Sequence, residues 1–281
     1  MKLFLTLVLV MSLCGAEVLA HDSQTDAGKW SFALSAGVGK VTTPLSHRGD
    51  LYGSVLPAVS YYGERFYLES SFIGYSIFEN QHWYIDLVGS LNEDGMFFEL
   101  DGVNNFGWWD ALGMQRTHNP DPSEGGVAYP GGGFEDIERR LSYMGGLSFT
   151  WLNDLADLRF TFLTDISGVH QGEEFHLTLR KNYSYKQWKW QWQLGTIHKD
   201  QQLNNYYYNL RPHELNNTPS WFSLPDSRQY FYGFTVSYQF NPQWAAQAFW
   251  QKNMLDQDLL RSPLLGSDRY YSRFIGVRYS F

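Results

Sequence analysis

Residues 188–194 read Trp188-Lys189-Trp190-Gln191-Trp192-Gln193-Leu194. In an extended chain successive side chains point to opposite sides. Trp188, Trp190, Trp192 and Leu194 therefore share one face, and Lys189, Gln191 and Gln193 share the other. A soluble sandwich would have to hide three tryptophans from one strand in its core. A barrel in lipid turns such rings toward the membrane and its interface, and keeps the polar side chains on a wet interior. The alternation recurs in Tyr232, Phe234, Val236, Tyr238 and Phe240 against Gly233, Thr235, Ser237 and Gln239. It recurs again in Phe160 and Phe162 against Arg159, Thr161 and Asp165, and in Tyr143, Leu147, Phe149 and Trp151 against Ser142, Gly146, Ser148 and Thr150.

Composition agrees with that reading. The 281 residues hold 11 Trp, 19 Tyr, 20 Phe and 26 Gly, yet the mean hydropathy is only −0.37, because lipid-facing and lumen-facing residues cancel in any window. With 43% apolar residues the chain is not disordered, and Cys14, its single cysteine, excludes a disulfide framework. Beyond the first 20 residues no run approaches the ~18 apolar residues of a spanning helix. A formal net charge of −8 argues against nucleic acid as a partner.

Period-two patterning predicts an all-β fold, a transmembrane up-and-down antiparallel β-barrel of about twelve strands, with ten as the even alternative. The strands are expected at 29–41, 53–62, 65–78, 82–91, 95–104, 139–152, 157–167, 173–185, 188–204, 229–240, 244–255 and 269–281. The fifth is the weakest, and the parity of a closed antiparallel barrel is what supports it. Connections at 63–64, 92–95, 153–156, 186–187 and 242–243 are short, whereas of the others 42–52, 105–138, 205–228 and 256–268 are long and only 79–81 and 168–172 are brief. Short periplasmic turns and long outer loops are the habit of bacterial outer-membrane barrels, so the N-terminus is placed in the periplasm. Residues 105–138, with Pro120, Pro122, Pro130 and Gly131-Gly132-Gly133, are expected to form a long outer loop.

Residues 1–20 read as a cleaved signal peptide, leaving 21–281 as a single barrel domain. Lys2 is the basic start, residues 3–13 are the apolar core, and Val18 and Ala20 are the small residues before the cut. Leu13 stands before Cys14 where a lipoprotein signal wants a small residue, so no lipid anchor is expected. At the other end Ile275, Val277, Tyr279 and Phe281 form an apolar stripe closing on a terminal aromatic. Tyr279 and Phe281 are the candidate signal for the outer-membrane assembly machinery. The expected location is the outer membrane, with its lipid and lipopolysaccharide as surroundings.

Several short segments, in order and spacing, carry a resemblance. They are Val55-Leu-Pro57, Tyr61-Tyr-Gly63 with Phe66, Gly145-Gly-Leu-Ser148, Leu163-Thr-Asp-Ile-Ser-Gly-Val-His-Gln-Gly172, Asn205-Tyr-Tyr-Tyr-Asn209 with Glu214, Leu260-Arg-Ser-Pro-Leu264, and Gly276-Val-Arg-Tyr-Ser-Phe281. Together they resemble the MipA/OmpV family of outer-membrane proteins over the whole mature chain. The resemblance implies a non-enzymatic scaffold that links a murein lytic transglycosylase and a penicillin-binding protein in peptidoglycan metabolism. Other members are similar to porins, which keeps a narrow solute channel as the alternative.

Lumen-lining candidates are Glu69, Asp86, Arg140, Arg159, Asp165, His176, Arg180, Lys189 and Arg278. Such charges either select solutes or interlock as a network that plugs a small barrel. Phe231, Phe249, Phe274 and Ile73 are expected to share the inward parity. Asp165, Ser167 and His170 sit within six residues, so an outer-membrane lipid hydrolase is a third, less favoured reading. The bland reading of the same residues is a capped turn bent at Gly168 and Gly172. The eight histidines show no ligand spacing, and no metal or other cofactor is expected. Trp108, Trp109, Tyr129, Tyr206, Tyr207, Trp221 and Phe222 are expected on the outer loops as interface anchors.

Overall fold

The computed structural model describes residues 28–46, 48–69, 72–99, 137–215 and 222–281. The expected signal peptide at 1–20, residues 21–27 and all but the last two residues of the 105–138 loop lie outside them. Twelve antiparallel strands close on themselves. They are β1 (Lys29–Val41), β2 (Leu51–Tyr62), β3 (Phe66–Glu69), β4 (Phe72–Glu79), β5 (Trp83–Leu91), β6 (Tyr143–Trp151), β7 (Asp157–Asp165), β8 (Glu173–Tyr185), β9 (Trp188–Lys199), β10 (Ser227–Gln239), β11 (Trp244–Met254) and β12 (Arg269–Ser280). Each pairs with its sequence neighbours. β1 seals the cylinder against β12 in a register running from Ala33↔Ser280 to Val41↔Ser272. Two helices, α1 (Glu93–Glu99) and α2 (Gln201–Tyr208), follow β5 and β9.

The side facing outward is apolar on nearly every strand. Trp190, Trp192, Leu194, Phe234, Leu147, Phe162, Ile275 and Val38 are all exposed, while Gln191, Thr235, Ser148 and Thr161 on the opposite face are buried. A closed cylinder that is apolar outside and polar inside inverts the soluble pattern, and it leaves no unpaired sheet edge in hydrocarbon. Among the described residues no helix is long and apolar enough to cross a membrane. Rings gather where the turns are short: Trp244 and Tyr279 lie 4.9 Å apart, Tyr279 and Phe281 4.9 Å, and Trp188 and Tyr238 4.9 Å. That is the aromatic girdle of a bilayer interface. Tyr279 and Phe281 sit within it, and Phe281 N–H donates to Phe32 O.

Twelve is the number the sequence predicts, but it is reached differently. Residues 65–78, expected as one strand, form the two strands β3 and β4, with Glu69 paired opposite Phe72; residues 70–71 lie outside the described residues. The alternation is reset between the two strands. Tyr67 and Glu69 face inward, then Phe72 and Gly74, so Ile73 faces lipid rather than the lumen. Residues 95–104, expected as a strand, begin instead as helix, and 100–104 lie outside the described residues. Asn92 caps α1, its Oδ1 accepting from Gly95 N–H, and Glu93 and Asp94 in the first turn suit the positive end of the helix dipole. Residues 200–204, expected at the end of a strand, instead open α2, with Asp200 as its N-cap accepting from Leu203 N–H at 2.9 Å.

These changes reverse β5. The connection after Leu91 therefore lies on the long-loop rim, not among the short turns, and residues 80–82 join the short rim. Short turns now stand at 63–65, 80–82, 152–156, 186–187 and 240–243, all at one end.

Close strand approach is enforced at Gly146, inside the Gly145-Gly-Leu-Ser148 segment. A Cβ there would stand 1.8 Å from Phe162 O and 3.0 Å from Leu163 Cα, both backbone atoms of β7. The Gly146→Ala chain is expected to lose about 1–3 kcal/mol of stability through forced displacement of the ladder. A lower urea midpoint for loss of the compact, heat-modifiable form on gels would show it, and an unchanged midpoint would refute it.

Candidate functional site

The long-loop mouth of the barrel is filled by α1 and α2. Asn92 starts a helix that runs inward from the end of β5, and its next three large residues, Met96, Phe97 and Phe98, are all buried. Phe97 meets Tyr270 of β12 edge-on at 5.1 Å, and Phe98 stacks on Tyr207 of α2 at 6.1 Å. Leu203, Tyr207 and Tyr208 of α2, Leu224, Leu259 and Leu264 complete one apolar cluster that spans the mouth. Full burial of each such side chain contributes ~1.5–3 kcal/mol.

A layer of charge lies directly beneath. Lys199 Nζ donates to Asp94 Oδ2 at 2.6 Å, with both side chains at most 4% exposed. Tyr208 OH donates to Asp94 Oδ1 at 2.6 Å, and Tyr270 OH donates to Glu93 Oε1 at 2.9 Å. Asn92 Nδ2 donates to Glu174 Oε1 at 2.8 Å, while Glu174 Oε2 and His176 Nε2 are 2.8 Å apart. Burial pushes the Glu93 carboxyl above the ordinary range, against the opposing pull of Lys199. These groups come from α1, α2, β8, β9 and β12, so α1 is fastened across the bore rather than to one wall.

A second buried pair ties the loops over the cap. Arg139 places Nη1 2.6 Å from Glu214 Oε1 and Nη2 3.0 Å from Glu214 Oε2, and Nη2 also donates to Asn209 O. Burial works to raise the Glu214 carboxyl, but the Arg139 hydrogen bonds outweigh it and hold the group below its usual range. Asn205 Nδ2 donates to Leu224 O, Asn209 Nδ2 donates to Phe222 O, and Ser262 Oγ donates to Tyr208 O. The segments 205–209, Glu214 and 260–264, separate in sequence, thus meet in one construction.

The Asp165–His170 segment is a capped turn at the same rim. Ser167 Oγ donates to Asp165 Oδ1 at 2.6 Å, and the His170 and Gln171 N–H groups donate to Asp165 Oδ2. His170 turns its ring away from Ser167, to Ser142 Oγ at 3.0 Å from Nε2. Gly172 N–H donates to Nδ1 at 2.9 Å, so the ring proton of the neutral imidazole sits on Nε2 and is given to Ser142. Burial lowers the His170 pKa and favours that neutral form. A general base needs the opposite arrangement, a free lone pair facing the hydroxyl.

Of the lumen candidates, Glu69, Asp86, Arg159, His176, Arg180, Lys189 and Arg278 lie on the inward register. Asp86 accepts from Tyr67 OH and Ser76 Oγ at 2.9 Å each, and Arg159 donates to Thr150 Oγ1 and Tyr84 OH at 3.1 Å each. Glu69 accepts from Tyr62 OH. Arg140 is not lumenal. It lies before β6 begins, exposed on the loop, with its N–H given to Tyr206 OH, because the ladder starts four residues later than the alternation suggested. Asp165 is spent on its turn at the rim. Phe231, Phe249 and Phe274 do face inward, and Phe249 stacks on Phe274 at 6.0 Å. Tyr207 and Phe222, expected on the outer surface, are buried in the cap instead, because α2 turns its Tyr207 edge inward. Trp108, Trp109, Tyr129 and Trp221 lie outside the described residues. Among the described residues no trio of His, Asp or Glu is placed to hold a metal ion.

Lys199, Asp94 and Glu174 were not among the candidates. Lys199 continues the inward parity of Lys189, and Glu174 that of His176, so alternation alone reaches two of the three. Asp94 needed the helix start at Asn92 to be recognised first.

A family model described as "MltA-interacting protein MipA" matches residues 32–281. No curated protein matches the chain. Among solved structures, OmpT of Vibrio cholerae is 9% identical, with 92% of this chain and 99% of that one covered at a TM-score of 0.35. The toluene transporter TodX of Pseudomonas putida is 10% identical, covering 91% and 89% at 0.34. The N-terminal β-barrel domain of Pseudomonas aeruginosa OprF is 14% identical, covering 50% and 88% at 0.25.

Proposed function

Because this outer-membrane barrel belongs to the MltA-interacting protein MipA family, we propose that it is a non-enzymatic scaffold. It holds a murein lytic transglycosylase, and with it a penicillin-binding protein, at the periplasmic face of the outer membrane. The family match over residues 32–281 is the observation that carries this reading. The capped mouth supports it, since α1 and α2 occupy the path that solute passage would need. The long-loop rim faces the cell exterior and the short-turn rim the periplasm.

The docking surface is then the five short turns together with the N-terminal segment at 21–28. Turns this short supply few of the ~20–30 residues per side of a standard interface, so the contact is small and depends on its apolar points. Leu155, at the tip of turn 152–156, is 84% exposed and is the one large apolar side chain standing free on that turn. The barrel purified in detergent is expected to retain a murein lytic transglycosylase from periplasmic extract. Leu155→Asp is expected to weaken that retention about tenfold, ~1.4 kcal/mol. Absence of any retained murein enzyme, combined with robust single-channel currents in planar bilayers, would overturn the scaffold in favour of a channel.

A further inference from the structure

The lipid-facing surface is apolar on most strands, but on β11, β12 and β1 it carries a cluster of cations near the long-loop end. Arg273 of β12 is opposite Lys40 of β1 on one side and Trp250 of β11 on the other. Lys252 of β11 is opposite Tyr271 of β12, which makes Lys252 and Arg273 diagonal neighbours on the same outward face, ~7–8 Å apart. Aromatic rings frame them. Lys252 Nζ lies 6.0 Å from the Tyr232 ring centre and 5.8 Å from that of Tyr271, and Trp250 lies 5.5 Å from Tyr232 and 6.2 Å from Tyr271. One step deeper on the same face the surface turns wholly apolar, with Ile275 66% and Val38 70% exposed. The cations therefore stand at the border between hydrocarbon and headgroups.

Their protein counter-charges are already taken. Lys40 is paired with Asp50 at 2.6 Å, and Asp268, whose charge Lys252 feels, is held by Arg269 at 2.6 Å. Lys252 and Arg273 form no ion pair among the described residues. Two cations on a membrane-facing wall require an anion from the membrane, and a phosphate suits them. Arg273 can grip two of its oxygens, Lys252 a third, and the rings pack on the neighbouring acyl and sugar groups.

We propose that Lys252 and Arg273, with Tyr232, Trp250 and Tyr271, form a binding site for the phosphate of an outer-leaflet phosphorylated glycolipid of the lipid A type. Assignment to the outer leaflet rests on the long-loop rim facing outward. The phosphate chemistry itself does not. The site fixes one glycolipid against β11 and β12, at the height where the cap closes the bore.

Native mass spectrometry of the detergent-purified full barrel tests this. The probes are bis-phosphorylated lipid A, the same lipid after phosphatase treatment, phosphatidylglycerol and inorganic phosphate. The wild type is expected to retain one bis-phosphorylated lipid A, and to hold the dephosphorylated lipid and phosphatidylglycerol at least tenfold more weakly. The Lys252→Gln/Arg273→Gln chain is expected to lose at least tenfold in lipid A retention while keeping its heat-modifiable migration. The Lys181→Gln/Lys186→Gln chain, altered at the short-turn end, is expected to bind as the wild type does. Should the double variant fail to fold, the two single substitutions are compared in the same way, each expected to show a partial loss. Retention unaffected by Lys252 and Arg273, equal retention of dephosphorylated lipid A, or equal retention of phosphatidylglycerol would each overturn the site. Surface labelling of an Asn241→Cys chain in intact cells tests orientation alone, so an error there is distinguishable from an absent site.

Discussion

Lys199→Met is expected to lower folding stability by about 3–5 kcal/mol, the cost of leaving a buried charge without its partner. Among the described residues Lys199 is the one cation paired with Asp94, and it also offsets Glu93 and Glu174. Without it, three carboxylates share a buried layer, with His176 beside Glu174. Glu93, already held above the ordinary carboxylate range by burial, loses the Lys199 charge that pulls it down, so its folded-state pKa rises further above the unfolded one. Stability linked to that rise is fully present in acid and is lost as pH rises through the raised value. The deficit of the variant is therefore smaller at acid pH than at neutral pH. Urea unfolding followed by the shift from compact to boiled migration measures it. Asp94→Asn combined with Lys199→Met should recover a good part of the loss, because the orphaned charge is removed with its partner. A Lys199→Met chain as stable as the wild type at neutral pH would mean that α1 is not held by this pair.

Leu194→Lys is expected to cost about 2–4 kcal/mol, the penalty for a cation at the bilayer midplane on the lipid face of a barrel. Leu194 lies midway along β9, points outward and is 54% exposed. The same change at His198, also outward but four residues (~13 Å) nearer the long-loop end, should cost under ~1 kcal/mol. A barrel surrounded by water would accept a lysine at either position with little effect. Equal and negligible costs at the two sites would thus remove the membrane from the account. Everything argued about rims, leaflets and docking would go with it.

The barrel was readable where alternation is uninterrupted. β8 and β9 start where the Trp-Lys-Trp-Gln pattern and its neighbours place them, and β1 is read at both ends. Errors fell where a second periodicity or a turn intervened. Met96, Phe97 and Phe98 run consecutively and give no clear period, and only a helix wedged among partners on several sides can bury all three. Ser70 and Ser71 carry none of the glycine or proline that usually marks a hairpin, so β3 and β4 merged into one. The two errors cancel in the count and not in the direction of β5. The cap was legible only as fragments. Asn205 to Asn209, Glu214 and residues 260–264 could each be singled out in one dimension, but the contacts that unite them join residues such as Arg139 and Glu214, 75 positions apart.

The way α1 is held has a bearing on the order of assembly. Its anchors come late in the chain: Lys199 is 105 positions from Asp94, Tyr208 is 114, and Tyr270 of the final strand is 177 from Glu93. Loop-closure entropy makes such distant contacts the last to form. A chain whose twelfth strand has not docked lacks the Tyr270 ring against Phe97 and the Tyr270 hydroxyl on Glu93, while Lys199 and Tyr208 are already available to Asp94. The inner helix thereby gains its last anchor, Tyr270, only when the final strand has joined the sheet.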